Sequence, residues 1–151
     1  MTIELRSYIK KDEEYVDVFE FDDVIQDKNY IEGAICLKIN DIYLINLEMW
    51  DYIDQLWAYF TEGVLEVIDN NEFETNFPDQ PIKVKFKLLR DNVLVSVICH
   101  SEVKAVVNKK EFIKVFSRQA LCFFEKLSTF KGIDKDSYNY EIEKLNSIHL
   151  N

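Results

Sequence analysis

Residues 40–71 read NDIYLINLEMWDYIDQLWAYFTEGVLEVIDNN, and a change of period inside this stretch decides the fold. Asn40-Asp41 is a two-residue turn of residue types that tolerate positive φ. It joins two apolar runs, Ile31 to Ile39 and Ile42 to Leu47, into a predicted β-hairpin. From Trp50 the apolar residues fall three and four apart: Trp50, Ile53, Trp57, Phe60, Val64 and Val67. Asp51, Gln55, Glu62, Glu66 and Asp69 fill other positions. That spacing predicts an amphipathic helix over about 48–68 with one wide apolar face. Gly63 costs about 1 kcal/mol relative to Ala and marks an expected kink or early end. Asn70-Asn71 and the polar residues up to Pro81 read as an exit loop.

Working outward, Thr2 to Ile9 and Tyr15 to Phe21 alternate as strands around a charged turn, Lys10 to Glu14. Asp22 to Asn29 is a polar connection or a short helical turn. Beyond Pro81, Ile82, Val84, Phe86 and Leu88 point one way and Lys83, Lys85 and Lys87 the other. Arg90-Asp91-Asn92 turns the chain into the apolar strand Val93 to Cys99, and Val103 to Val107 follows as a third strand. Asn108 and Glu111 form a capping-box pattern before a helix over about 109–130, which Gly132 stops. A short C-terminal helix fits Asp136 to Ile148. Strands in runs, not strictly alternating with helices, predict α+β. The expected architecture is a single domain: a mainly antiparallel sheet of six to seven strands against two main helices and the short C-terminal one. At 151 residues one domain can bury a sizeable core.

Charge is split by position. Residues 1–80 hold 20 acids and 5 bases, a net of −15; residues 81–151 hold 8 acids and 13 bases, a net of +5. Either the two parts neutralise each other, or the acids converge outward and attract a cationic partner. Aromatic residues among the acids suit a protein interface. The candidate contact residues are Asp22, Asp23, Asp51, Asp54, Glu62 and Glu66. The lysine ladder 83, 85, 87 reads as a guarded strand edge or as a partner for acids of the N-terminal half, and the net charge of −10 argues against a nucleic-acid partner. With no secretory signal, no membrane-length apolar run and three scattered cysteines, the chain reads as cytoplasmic, with reduced and mostly buried thiols.

Catalytic patterns fail on context. Cys99 and His100 are neighbours on a strand and point to opposite faces, and His149 has no ligand-spaced companion, so neither a metal site nor a cofactor site is expected. Three glycines leave no phosphate-binding loop. No serine sits in a nucleophile elbow. Pro78-Asp79 followed by Glu102-Val103-Lys104 is similar to a metal-dependent nuclease signature, in which two carboxylates hold a divalent ion and a lysine supports the attacking water. Two strands separate the halves of that signature where the nuclease family has adjacent ones.

The segments Trp50 to Trp57 and Asn76 to Pro81, with the helix Glu111 to Leu127, resemble those of small uncharacterised bacterial cytosolic proteins of the toxin-immunity kind. That resemblance covers residues 30–130 and implies a non-enzymatic protein that occludes a basic toxin domain. The functional expectation is therefore protein binding through an acidic surface. A nuclease-like enzyme using Asp79, Glu102 and Lys104 is the alternative, and a structural or homo-oligomeric module the third class.

Overall fold

The computed structural model describes residues 2–148, and His149 lies outside the described residues. The chain folds as α+β, with nine strands in two antiparallel sheets among the described residues and three helices. The first sheet contains β1 (Ile3–Lys11), β2 (Glu14–Asp17), β3 (Glu32–Ile39) and β4 (Ile42–Ile45) in the order β2-β1-β3-β4, with β5 (Asp51–Tyr52) also paired to β3. The second contains β6 (Phe73–Asn76), β7 (Lys83–Leu89), β8 (Asn92–Cys99) and β9 (Ser101–Asn108) in sequence order. Helix α1 (Ile53–Ile68) links the sheets, and α2 (Lys109–Leu127) and α3 (Asn139–Asn146) close the chain.

The turns follow the residues that can make them. Asn40 and Asp41 both have positive φ, 50° and 67°, as a primed hairpin turn requires. Asp12 and Arg90 turn the β1–β2 and β7–β8 hairpins at φ 55° and 56°. His100 sits at the apex of a tight reversal that sets Cys99 opposite Ser101. Asn108 caps α2, its side-chain oxygen accepting from the Lys110 and Glu111 N–H groups at 3.0 and 3.2 Å.

Helices α1 and α2 pack on one side of both sheets, and α3 packs on the helices. The core is aromatic. Phe60 of α1, Phe86 of β7 and Phe112 and Phe116 of α2 interlock with ring centroids 4.4 to 6.2 Å apart. Trp57 continues the stack toward Phe123, and its indole N–H donates to the buried Ser7 hydroxyl at 2.8 Å. That bond satisfies two polar groups that would otherwise be costly inside.

Several elements differ from the sequence reading. Residues 47–49 form one 3-10 turn and 51–52 a strand, so α1 begins at Ile53 rather than near 48. Strand β2 stops at Asp17, because the backbone reverses there: the Glu20 and Phe21 N–H groups bond the Asp17 carbonyl. Residues 73–76, expected as loop, are strand β6. Their polar residues Glu74 and Asn76 face solvent, while Phe73 packs under α1. Strand β6 therefore splits the exit loop into 69–72 and 77–82, and the strands divide between two sheets rather than one. Of the three free cysteines, Cys36 and Cys99 are half-buried and Cys122 is exposed. Residues 120, 123, 124 and 127 take the inward face of α2 and turn Cys122 out.

Gly63 does not break α1, which runs unbroken through it. A Cβ there would lie 2.6 Å from Phe86 and 2.7 Å from Phe73. The glycine lets the helix sit directly on both rings. Gly63→Ala is accordingly expected to destabilise by about 1–3 kcal/mol through overpacking, where helix propensity alone would add about 1 kcal/mol. Urea unfolding measures the sign.

Candidate functional site: an aromatic and acidic sheet face

The outer face of the first sheet carries no helix, because α1 and α2 cover its inner face. Strand register fixes which residues it displays. Leu5, Ser7 and Ile9 of β1 oppose Leu37, Ile35 and Gly33 of β3 on the inner face. The alternate residues point out, and they make cross-strand rungs. One rung joins Tyr52 to Glu32 across β5–β3, and Lys10 to Tyr15 across β1–β2. The Lys10 ammonium links the two, 4.0 Å from Glu32 and 4.4 Å above the Trp50 ring. Further rungs hold Ala34, Tyr8 and Asp17, then Cys36 and Arg6. Tyr43 and Glu4 flank Lys38 at the far end. Five of the eight tyrosines lie on or beside this face: Tyr8, Tyr15, Tyr30, Tyr43 and Tyr52. Tyr30 and Tyr43 are 59% and 58% exposed. Tyr30 meets Tyr52 edge to face with centroids 5.3 Å apart.

Acids from distant parts of the sequence converge at the Tyr52 end of the face. Partial burial raises the Tyr15 pKa, and the carboxylates of Glu13, Glu32 and Glu48 raise it further. Tyr52 is raised by burial, then by Asp79, Glu32 and Asp51. Three stretches, 12–32, 48–51 and 79, thus share one local negative field. The basic second half does little to cancel it. Among the described ion pairs, Lys83 and Lys85 are the only bases of residues 81–151 that reach an acid of residues 1–80, and both reach Glu74 on the other sheet. Most other pairs are local: Lys38 with Glu4 and Asp41, Lys11 with Asp23, Lys104 with Glu102. Acidic and basic halves therefore lie side by side with most of their charge facing outward.

The six candidate contact residues do not form one group. Asp22 and Asp23 are exposed in the β2–β3 connection, near the converging acids. Glu62 and Glu66 belong to α1 on the helical side, where Glu62 lies 3.5 Å from the Tyr140 hydroxyl of α3. Asp51 is only 2% exposed and is not displayed to a partner. One carboxylate oxygen accepts from the Asp79 and Gln80 N–H groups at 3.0 and 2.9 Å, the other from Tyr52 N–H at 2.7 Å. The Gln80 side-chain amide donates in turn to the Trp50 carbonyl. Alternation along β5 turns Asp51 inward and Tyr52 outward, which corrects the expectation of a surface acid. Asp54, in the first turn of α1, is half-buried against α3 and accepts from the Tyr138 hydroxyl at 2.8 Å. Burial raises its pKa, against the opposing effect of that bond. Among the described residues its Oδ1 has no hydrogen-bond partner.

The residues of the nuclease-like triad are carried by two elements, the 77–82 loop and β9. Asp79 sits in the loop held by Asp51. Glu102 and Lys104 lie 3.8 Å apart on the outer face of β9. Glu102 accepts from Ser96 at 2.6 Å, and that bond first, then Lys104 and Lys85, lowers its pKa. Among the described residues, no three or more His, Cys, Asp and Glu are grouped to hold a metal ion. No described helix is long and apolar enough to cross a membrane. No protein-family model matches the chain, and no match is found among curated proteins or solved structures.

Asp51→Ala leaves two loop N–H groups unpaired, and is expected to cost about 1.5–3 kcal/mol; hydrogen exchange at Asp79 and Gln80 should quicken. Asp54 gives a pH signature. Its folded pKa is raised, so its contribution to stability is complete below the ordinary carboxylate pKa and is lost as pH rises through the folded value. Across that window Asp54→Asn should gain Tm relative to the natural chain, whereas a pH-independent difference would refute the burial argument.

Proposed function

We propose that this is a non-enzymatic protein-binding protein whose outer first-sheet face captures a cationic protein. The supporting observation is the convergence of acids from 12–32, 48–51 and 79 around Tyr15 and Tyr52, with little pairing to the basic half. Such a field speeds the encounter with a basic partner, and tyrosine and tryptophan supply broad contact at low entropic cost. Two carboxylates of the original candidate set, Asp51 and Asp54, serve the fold. Asp22 and Asp23, with Glu13, Glu32, Glu48 and Asp79, are the contact acids of this reading. An immunity role, in which the face covers the basic active site of a toxin, is the concrete form. It rests on the resemblance of the Trp50–Trp57 and Asn76–Pro81 segments together with this electrostatic arrangement.

The product of the adjacent reading frame, if basic, is the ligand to immobilise for surface plasmon resonance. Glu13 and Glu48 are both exposed and make no described ion pair. Reversing them in Glu13→Lys/Glu48→Lys is expected to slow association about tenfold or more, and added salt should slow the natural chain similarly. Association indifferent to both changes overturns the reading.

A further inference from the structure

A cavity of about 290 Å³ opens at the acidic end of the first sheet, between the end of β1 and the β2–β3 connection. Its floor is apolar: Ile9, Phe21, Val24, Ile25 and Ile31. Its rim carries Asp12, Asp27 and Glu32, with Tyr30 beside them. The volume lies at the lower end of ligand pockets and suits one long side chain rather than a cofactor.

The walls are fixed in advance. The Ile25 N–H donates to the Lys131 carbonyl at 2.8 Å, and Phe21 packs against Phe130 with centroids 5.2 Å apart. Gly132, at φ 93°, gives the room for this approach, since a Cβ there would collide with the Ile25 carbonyl. Lys28 and Asp134 join the same two segments at 2.7 Å. A loop tied at several points loses little entropy when something binds it.

Two lysines also line the cavity, and both ammonium groups are already engaged, Lys10 with the rim's own Glu32. Lys10 lies over Trp50 beside Glu32, its side chain 13% exposed, and Lys11 pairs with Asp23. Among the described residues no lysine or arginine pairs with Asp12 or Asp27. An apolar floor with unneutralised carboxylates on its rim matches an aliphatic stem ending in a cation. A planar guanidinium is the better fit, because it is weakly hydrated and stacks on an aromatic ring such as Tyr30.

We propose that this cavity is the anchor subsite for an arginine side chain of the cationic partner. The stem lies on Phe21, Ile25 and Ile31, and the guanidinium meets Asp12 and Asp27 beneath Tyr30. The proposal rests on the binding reading above and adds where and by what chemistry the partner is held.

The probe is N-acetyl-arginine methylamide, titrated into the full-length protein and followed by amide NMR. The neutral, same-shaped citrulline analogue and the lysine analogue run beside it. Shifts confined to residues 9–12 and 21–32, with an affinity of about millimolar, are expected for arginine. The citrulline analogue should bind at least about fivefold more weakly, since it lacks the charge. The Asp12→Asn/Asp27→Asn variant alters only exposed carboxylates and should keep its Tm while losing the arginine shifts. Equal binding of citrulline, shifts located elsewhere, or full binding by that variant would each overturn the subsite. If the variant binds the basic partner unchanged, the subsite fails and the sheet-face reading stands. If arginine binds here but no basic protein associates, the reverse holds.

Discussion

One buried carboxylate ties the two sheets to each other at the acidic end of the first. Asp51 accepts three backbone N–H bonds, two of them from the loop that joins β6 to β7 in the second sheet. A buried polar group needs such partners, because desolvation without them costs several kcal/mol. Asp51 also stands at the junction of β5 and α1. Its inward direction turns Tyr52 outward, and its grip on 79–80 holds the Asp79 carboxylate within electrostatic reach of the Tyr52 hydroxyl. That attachment adds Asp79 to the local negative field of Glu13, Glu32 and Glu48 at the edge of the first sheet.

Behind it the aromatic core sets the layering. Phe60, Phe86, Phe112 and Phe116 hold two helices to one side of both sheets, and Gly63 permits their closest approach. With both helices on that side, the opposite face of the first sheet is left to side chains alone. Antiparallel sheets tolerate one solvated face. Here that face is unusually rich in tyrosine, a residue whose ring is apolar and whose hydroxyl is comfortable in water.

Regular elements were legible where the pattern was strong. The 40–41 turn, α1 and the Asn108 cap follow from periodicity and local chemistry alone. Strand β6 was hidden because it is only four residues long, its outward residues Glu74 and Asn76 are polar, and Phe73 is its one large apolar side chain. Strand β5 was hidden because two residues show no period. The candidate site was half legible. Its acidic composition was plain, and Asp22 and Asp23 stand near it. Asp51 and Asp54 were read as surface acids although both are packed into the fold. Carboxylates that serve backbone N–H groups look, in a sequence, like any other carboxylates.

The sequence by itself determined the α+β class, the hairpins, the two long helices and the division into an acidic and a basic half. These are local properties, set by spacing, turn residues and charge along the chain. Only the tertiary structure decided that the two halves leave most of their charge facing outward, that acids from 12–32, 48–51 and 79 meet at Tyr15 and Tyr52, and that a cavity forms beside them. Those facts depend on strand register and on which loop a buried carboxylate holds. Both join residues far apart in sequence, where no period reaches.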